Sequence, residues 1–232
     1  MLHSNQHSDL KKSIELSLIH AKITAIGINK ILKKFKLNAK DIKCIGYHGQ
    51  TIRHLPKSGY SIQLGNAGFL AELTNITVIS DFRNRDIHAG GQGAPLVPAF
   101  HKEFFFKKNK NRIIINIGGI ANITYLPTNS QIIGFDSGPG NILLDHWIYF
   151  INKKKFDNLG EWAKSGKLIN NLLLNFQKEQ FFKKLPPKST GRELFNINWL
   201  NKFNIKKYSP EDVQRTLLEL TASSINNAIK SF

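Results

Sequence analysis

The chain has 232 residues, a formal net charge of +17, 41% hydrophobic residues and a single cysteine. That length buries a sizeable core as one large domain or two small ones, and one cysteine excludes a disulfide framework. No apolar run approaches a membrane span and residues 1–10 are too polar for an export signal, so the sequence predicts a cytoplasmic protein with Cys44 as a buried free thiol in a probable strand.

The basic excess invites a nucleic-acid reading, since positive surfaces attract phosphate backbones without any particular fold. Its distribution argues against one. Lysine supplies 27 of the 33 basic residues, scattered as Lys33-Lys34, Lys107-Lys108, Lys153-Lys154-Lys155, Lys183-Lys184 and Lys206-Lys207 in expected loops and helix ends. With 29 isoleucines and 23 asparagines beside them, the whole composition is shifted toward Lys, Asn and Ile. No specific nucleic-acid partner is expected, although loose attraction to polyanions follows from the charge.

Ile14, Leu18, Ala21, Ala25, Ile28, Leu32 and Phe35 fall at alternating spacings of four and three, the stripe of a helix that ends near Asn38 and packs on the sheet that follows. Asp41 to Tyr47 reads as a short buried strand that delivers His48-Gly49-Gln50-Thr51 to its C-terminal end, where open α/β sheets place ligand-contacting loops. On its own His48 is more simply a loop hydrogen-bonder than a catalyst. Neither it nor His54 has a cysteine or carboxylate companion at a ligand spacing, so no metal site is expected. A turn at Pro56 to Gly59 leads to a strand over Tyr60 to Leu64, a helix over Asn66 to Leu73 and a strand over Thr77 to Ser80. Asp81 to Asp86 then brings two acids and two of the six arginines together within six residues. Surface ion pairs account for such a cluster at little energetic gain; the alternative is an arginine fork gripping a carboxylate, a geometry lysine does not reproduce. Gly90 to Pro95 reads as a flexible loop before a helix starting near Leu96.

The most informative stretch follows. Ile113 to Ile117 is a run of β-formers that breaks at Gly118-Gly119 and resumes as Ile120 to Tyr125, a hairpin in which glycine is expected to supply positive φ. Ile132-Ile133 then ends at Gly134-Phe135-Asp136-Ser137-Gly138-Pro139-Gly140-Asn141, a stretch that reads as a loop holding Asp136 at a strand end. One turn offers backbone N–H groups to an anion and the other a possible base. Asn141 to Ile151 reads as a helix whose N-terminus favours an anion. Gly160 to Gly166 reads as a loop or short helix, and Leu168 to Phe176 as a helix. Pro186 to Glu193 is extended and polar, a linker on its residues alone. Pro210 starts a last helix with Val213, Leu217, Leu220, Ser224 and Ala228 on one face.

Asn116 to Thr124 and Gly134 to Asn141 resemble the signature segments of the anhydro-N-acetylmuramic acid kinases, bacterial sugar kinases of the actin/hexokinase/Hsp70 superfamily. Gly46 to Arg53, Asp81 to Pro98 and Pro186 to Phe195 match the same family in the same order, so the resemblance covers most of the chain from Asp41 onwards. It implies an α/β, actin-like (ribonuclease H-like) ATPase fold, incomplete here, with mixed sheets flanked by helices. Residues 1–112 would be the remainder of an N-terminal lobe with sugar-binding loops, and residues 113–232 part of a C-terminal lobe with the phosphate hairpin and catalytic loop. It further implies ATP-dependent phosphorylation of 1,6-anhydro-N-acetylmuramic acid with hydrolytic opening of the anhydro ring, giving N-acetylmuramic acid 6-phosphate for cell-wall recycling. Asp136 would be the base. His48, Gln50, Asp81, Arg83, Arg85, Gly138, Asn141, Arg192 and Glu193 would bind the sugar, whose lactyl carboxylate gives Arg83 or Arg85 a purpose. Asn116, Gly118, Gly119 and Asn122 would hold ATP with Mg2+. A homodimer is compatible with the resemblance.

Two family segments find no counterpart: the Gly-Thr-Ser-x-Asp-Gly phosphate turn before Asp41 and the Gly-Gly-Gly-Ala-x-Asn adenosine segment after the last helix. The sequence therefore carries a second reading, a shortened and catalytically inactive remnant that retains at most sugar binding and holds ATP without useful affinity. A third reading, a basic polyanion binder, predicts salt-dependent binding to DNA or RNA.

Overall fold

The computed structural model describes residues 4–232, with side chains from residue 9 onward; the first residues of the polar N-terminal stretch lie outside the described residues. The chain divides into two compact units, Met1–Leu96 and Val97–Phe232.

The first unit contains α1 (Ser4–Phe35), β1 (Ile45–Tyr47), β2 (Gln50–Leu55), β3 (Tyr60–Leu64), α2 (Ala67–Thr74), β4 (Val78–Ser80) and α3 (Phe82–His88). β1 and β4 pair in parallel, and β2 and β3 form an antiparallel hairpin with an irregularity between Thr51 and Arg53. The core is small: Ala21 and Ala25 of α1 against Tyr47 and Leu70, with His20 Nδ1 2.6 Å from the Tyr47 hydroxyl. Of the seven apolar positions on the α1 stripe only these two alanines are buried, while Ile14 and Phe35 are exposed. The reason is length. A helix of 32 residues runs to about 48 Å, and the eight-residue α2 with two three-residue strands covers only its middle. The strand expected over Asp41 to Tyr47 is likewise shorter. Asn38 N–H donates to Asp41 Oδ2 at 2.8 Å, closing a 3₁₀ turn over Ala39–Asp41, and pairing starts only at Ile45 with Val78. Cys44 therefore lies outside the ladder and is exposed, contrary to the buried thiol expected above.

The second unit contains α4 (Pro98–Phe105), β5 (Arg112–Ile117), β6 (Ile120–Leu126), β7 (Ile133–Pro139), α5 (Ile142–Asn152), α6 (Glu161–Ser165), α7 (Asn170–Gln177), α8 (Gln180–Lys183), α9 (Ile197–Asn201) and α10 (Pro210–Ile229). Its sheet is antiparallel in the order β5-β6-β7, so among the described residues β5 is hydrogen-bonded on one side only. Helix α10 covers one face through Ile225, packed on Ala121 and Ile123. Helix α4 reaches the other, where buried His101 places Nδ1 2.8 Å from Thr124 Oγ1. That contact draws α4 into the second unit, so the division falls before Val97 rather than at residue 112. Farther from the sheet, Phe176, Phe181, Phe195 and Trp199 join leucines of α10 in the main core. The two buried indoles keep partners: Trp199 Nε1 donates to Glu179 Oε2 and Trp147 Nε1 to the Pro210 carbonyl, each at 2.8 Å.

Burial holds the His101 imidazole below its ordinary 6.5. The unfolded chain then takes up a proton that the native state resists, so His101 contributes stability that is full above that pH and is lost as the pH falls below it. Urea midpoints at about pH 7.5 and about pH 5.5 should therefore differ more in the parent than in His101→Gln; an equal difference in both would place the titration elsewhere.

Candidate active site

Register builds the site. Asn116 of β5 pairs with Asn122 of β6, and Asn122 pairs with Asp136 of β7. Directly opposed residues share a face of the sheet, so the three form one polar row across three strands. The next row toward the main body of the sheet is Ile115, Ile123 and Phe135. Asn122 stands two residues from Thr124, so the polar row lies on the α4 side, away from α10. Asp136 is thus in the middle of β7 and not in a loop. Its glycine-rich surroundings are accommodated because β7 carries one extra residue, Ser137, where the register with β6 shifts between Ala121 and Asn122, and an added Cβ at Gly138 would press on Phe182 and Ser224 at 2.9 and 3.0 Å. Gly138 is accordingly a packing position.

Asp136 is 7% exposed. Its N–H donates to the Lys188 carbonyl at 3.0 Å, and its Oδ2 accepts the Thr190 N–H at 2.9 Å. The segment that reads as a linker therefore lies against β7 and fixes the carboxylate. Two buried atoms beside it have no hydrogen-bond partner, Asn122 Oδ1 and Thr190 Oγ1. Buried polar atoms of this kind are costly unless a ligand or water satisfies them. Arg192 and Glu193, two and three residues past Thr190, are exposed, and their carbonyls accept from Asn196 Nδ2.

The Gly118-Gly119 turn sits at the end of the same sheet. Neither glycine has a positive φ, unlike the expectation, because three residues, Gly118 to Ile120, separate the Ile117–Ala121 pair. The turn points carbonyls at the start of α5: Gly118 O accepts from Asn141 N at 2.9 Å, and Gly119 O accepts from Gly140 N at 2.9 Å and Ile142 N at 3.2 Å. Those α5 donors are committed to the turn and are not open to an anion. Glycine is required at 140, where a Cβ would fall 2.1 Å from the Gly118 carbonyl oxygen, whereas one at Gly118 or Gly119 would meet nothing closer than 3.7 or 3.8 Å. The outer side of the turn is open.

In the first unit, His48 and Asp81 line a cavity of about 370 Å³ together with Tyr47, Ser61, Gln63 and Asn84. Burial and then the Arg83 charge hold His48 below its ordinary pKa. Gly49 between β1 and β2 has φ +68°, and its Cα lies so close to the Leu64 carbonyl that no side chain fits. Asp81 has φ +62° at the head of α3 and accepts from Asn84 Nδ2 at 2.7 Å. Arg83 is a strut: Nε donates to Thr51 Oγ1 at 3.3 Å and Nη1 donates to the Gly93 carbonyl. Asp86 ties the same loop by accepting from Gly93 N at 2.7 Å. Arg85 is exposed, and its side chain makes no hydrogen bond or ion pair among the described residues. Gln50 starts β2 exposed, its Nε2 3.4 Å from the Thr51 carbonyl. Sequence reasoning does not single out Thr190, Lys188 or Asn84, whose roles come from contacts 23 to 54 residues away.

A family model described as anhydro-N-acetylmuramic acid kinase matches residues 1–232. The chain belongs to this family. The α/β, actin-like fold class follows with it. Proteins named anhydro-N-acetylmuramic acid kinase from Pseudomonas syringae pv. tomato, Nitrosomonas europaea and Coxiella burnetii are similar to it: 50% identical over 212 residues, 49% over 210 and 49% over 207. The matches cover 90%, 90% and 87% of this chain and 58%, 58% and 56% of those proteins, so the chain spans a little over half the length of these relatives.

Proposed function

We propose that this chain carries sugar- and phosphate-handling parts of an anhydro-N-acetylmuramic acid kinase: ATP-dependent phosphorylation of 1,6-anhydro-N-acetylmuramic acid with hydrolytic opening of the anhydro ring, giving N-acetylmuramic acid 6-phosphate in cytoplasmic cell-wall recycling. The observation that supports it most is the row Asn116–Asn122–Asp136 beside an open glycine turn, with two unsatisfied buried oxygens flanking a buried carboxylate.

Asp136 acts as the base. The Thr190 N–H fixes Oδ2, so the carboxylate enters the reaction already oriented, and it takes the proton of the water that attacks the anomeric carbon. A placed water needs two to four polar partners, and Asn122 Oδ1 and Thr190 Oγ1 supply candidates. As water bonds to C1, the bridge oxygen leaves C1, stays on C6 and receives a phosphoryl group. The nucleotide supplies that group when bound. Its phosphates would be held at the outer side of the Gly118-Gly119 turn, where an added Cβ meets nothing closer than 3.7 Å, with Asn116 and Asn122 as side-chain donors. Among the described residues no group of three His, Cys, Asp or Glu side chains is placed to hold a metal; Mg2+ would ride on the phosphates with at most one or two protein carboxylates.

A single-turnover assay followed by ³¹P NMR tests the reading. Formation of a sugar 6-phosphate from the anhydro sugar and ATP–Mg2+ is expected; sugar binding without transfer assigns the remnant reading, and neither binding nor transfer overturns both. Arg85 is the proposed carboxylate ligand. Arg85→Ala should weaken sugar binding about tenfold or more, as loss of a charged hydrogen bond does, without lowering stability, and should make no difference for the sugar esterified at its lactyl group. Arg83→Ala should instead destabilise the first unit.

A further inference from the structure

A second cavity, of about 380 Å³, lies between α10 and the segment that leaves α8, and is lined by Phe182, Lys183, Lys184, Lys188, Ser224 and Asn227 among others. It occupies the α10 side of the sheet, with Phe135 and Ser137 of β7 in its wall, whereas the row of Asn116, Asn122 and Asp136 faces the α4 side. Helix α10 is tied beside the Gly118-Gly119 turn by Thr221, whose hydroxyl donates to the Gly140 carbonyl at 2.8 Å, and the chain ends with Phe232 stacked on Tyr125. Ser224, Asn227 and Ser231 therefore lead away from that turn, and no residue of the turn or of the polar row lines the cavity. Three ammonium groups meet here and no carboxylate does. Lys183 and Lys184 are exposed, and neither side chain makes a hydrogen bond or ion pair among the described residues. Lys188 is half-buried and fixed: its Nζ stands 4.8 Å from the Phe181 ring centre and donates to the Phe181 and Phe182 carbonyls at 3.3 and 3.5 Å. An ammonium carries three donors, so one remains. Burial, then the charge of Lys184, holds Lys188 below the ordinary lysine pKa, as in a cation cluster short of negative charge.

We infer that this cavity binds a phosphomonoester with a hydroxylated, sugar-sized body, the phosphate taken by Lys183, Lys184 and Lys188 and the body met by Asn227 and Ser231 at the rim. A phosphomonoester brings close to two negative charges and three strong acceptor oxygens at neutral pH, and ammonium donors meet them with charge-assisted hydrogen bonds. A carboxylate brings one charge and leaves the cluster under-compensated. Asn227 is exposed and its amide makes no hydrogen bond among the described residues, while the Ser231 hydroxyl donates to the Ala228 carbonyl at 2.7 Å and keeps its oxygen free to accept. The volume suits a small ligand. Lys188 also carries the carbonyl that accepts the Asp136 N–H, so an occupant gripped by its ammonium bears on the segment behind that carboxylate. The site shares no side chain with the kinase reading and does not rest on it.

Glucose 6-phosphate is the probe, titrated calorimetrically beside glucose and inorganic phosphate at about 0.15 M salt, which screens loose attraction to a basic chain. Saturable one-to-one binding of glucose 6-phosphate is expected, with no binding of glucose and with inorganic phosphate weaker by about tenfold, the worth of a well-made hydrogen bond. The double variant Lys183→Gln/Lys184→Gln should weaken binding by about tenfold or more. Lys206→Gln/Lys207→Gln removes the same charge ahead of the first residue of α10 and should change binding by less than about twofold; all four lysines are exposed, so neither variant disturbs a core. Binding should also slow amide hydrogen exchange over residues 182–190 and leave residues 118–121 unchanged. The site is overturned by an absence of saturation at about 10 mM, by equal weakening in the two double variants, or by protection of residues 118–121 in place of 182–190. Inorganic phosphate binding as tightly as glucose 6-phosphate overturns the sugar-sized occupant. None of these readouts uses turnover, so a failure of the kinase reading leaves the site standing, and phosphorylation without glucose 6-phosphate binding at these lysines does the reverse.

Discussion

On the proposed reading, Asp136→Asn is expected to lower the rate of sugar phosphorylation by a factor of about 100 to 10,000, the usual cost of removing a general base, and to leave sugar affinity close to that of the parent. The asparagine oxygen still accepts the Thr190 N–H that Oδ2 accepts at 2.9 Å, and the backbone bond to Lys188 is untouched, so the cradle keeps its shape while the proton acceptor is gone. A single-turnover rate measured in this chain, or with the same substitution in a full-length relative, decides it. Turnover within a few-fold of the parent would assign the base to another group. Sugar affinity falling in step with the rate would mean that Asp136 binds ground state and transition state alike.

The second large effect is on stability. Gly140→Ala should cost about 1–3 kcal/mol or more, the range for overpacking, because its methyl group would fall 2.1 Å from the Gly118 carbonyl oxygen with Ala121 N at 3.3 Å. Neither obstacle is a side chain able to swing aside. Relief requires the turn to part from the first residues of α5, which breaks the bonds that Gly118 and Gly119 accept from Gly140, Asn141 and Ile142. Gly119→Ala, one contact away, meets only ordinary van der Waals distances and should change stability by no more than about 0.5 kcal/mol. Urea unfolding of the pair checks the contrast. Equal stabilities would show that the turn is not clamped to the helix.

Elements set by local forces are legible in the sequence, and those set by distant contacts are not. The hairpin, α5, α7 and α10 are legible because period and capping are local: Ile113 to Leu126 is one continuous ladder, and Val213, Leu217, Leu220 and Ser224 are buried on one face of α10 as their spacing predicts. β7 is not legible, since Gly134, Gly138 and Pro139 disfavour a strand locally and only pairing with β6 makes one. The alignment of Asn122 with Asp136 depends on the slip after Ala121, for which no residue pattern gives warning. Thr190 is invisible for the same reason, because its bond to Asp136 spans 54 residues. Arg83 and Arg85 look equivalent in sequence and differ only once Thr51 and Gly93 engage the first.

Strand β5 has a consequence for handling the protein in solution. It exposes Ile115 and Ile117 by 41% and 58%, in a run of β-branched residues interrupted only by Asn116 and without proline or charge from Ile113 to Ile117. Such an edge is a template on which another copy can add a strand. Mutual repulsion between molecules of charge +17 holds copies apart at low ionic strength, and that repulsion decays over about 10 Å at 0.1 M salt and about 3 Å at 1 M. Colloidal stability should therefore run opposite to the habit of most proteins that salt keeps dispersed: dilute buffer preserves the monodisperse chain, and added salt lets the isoleucine edge nucleate cross-strand aggregates.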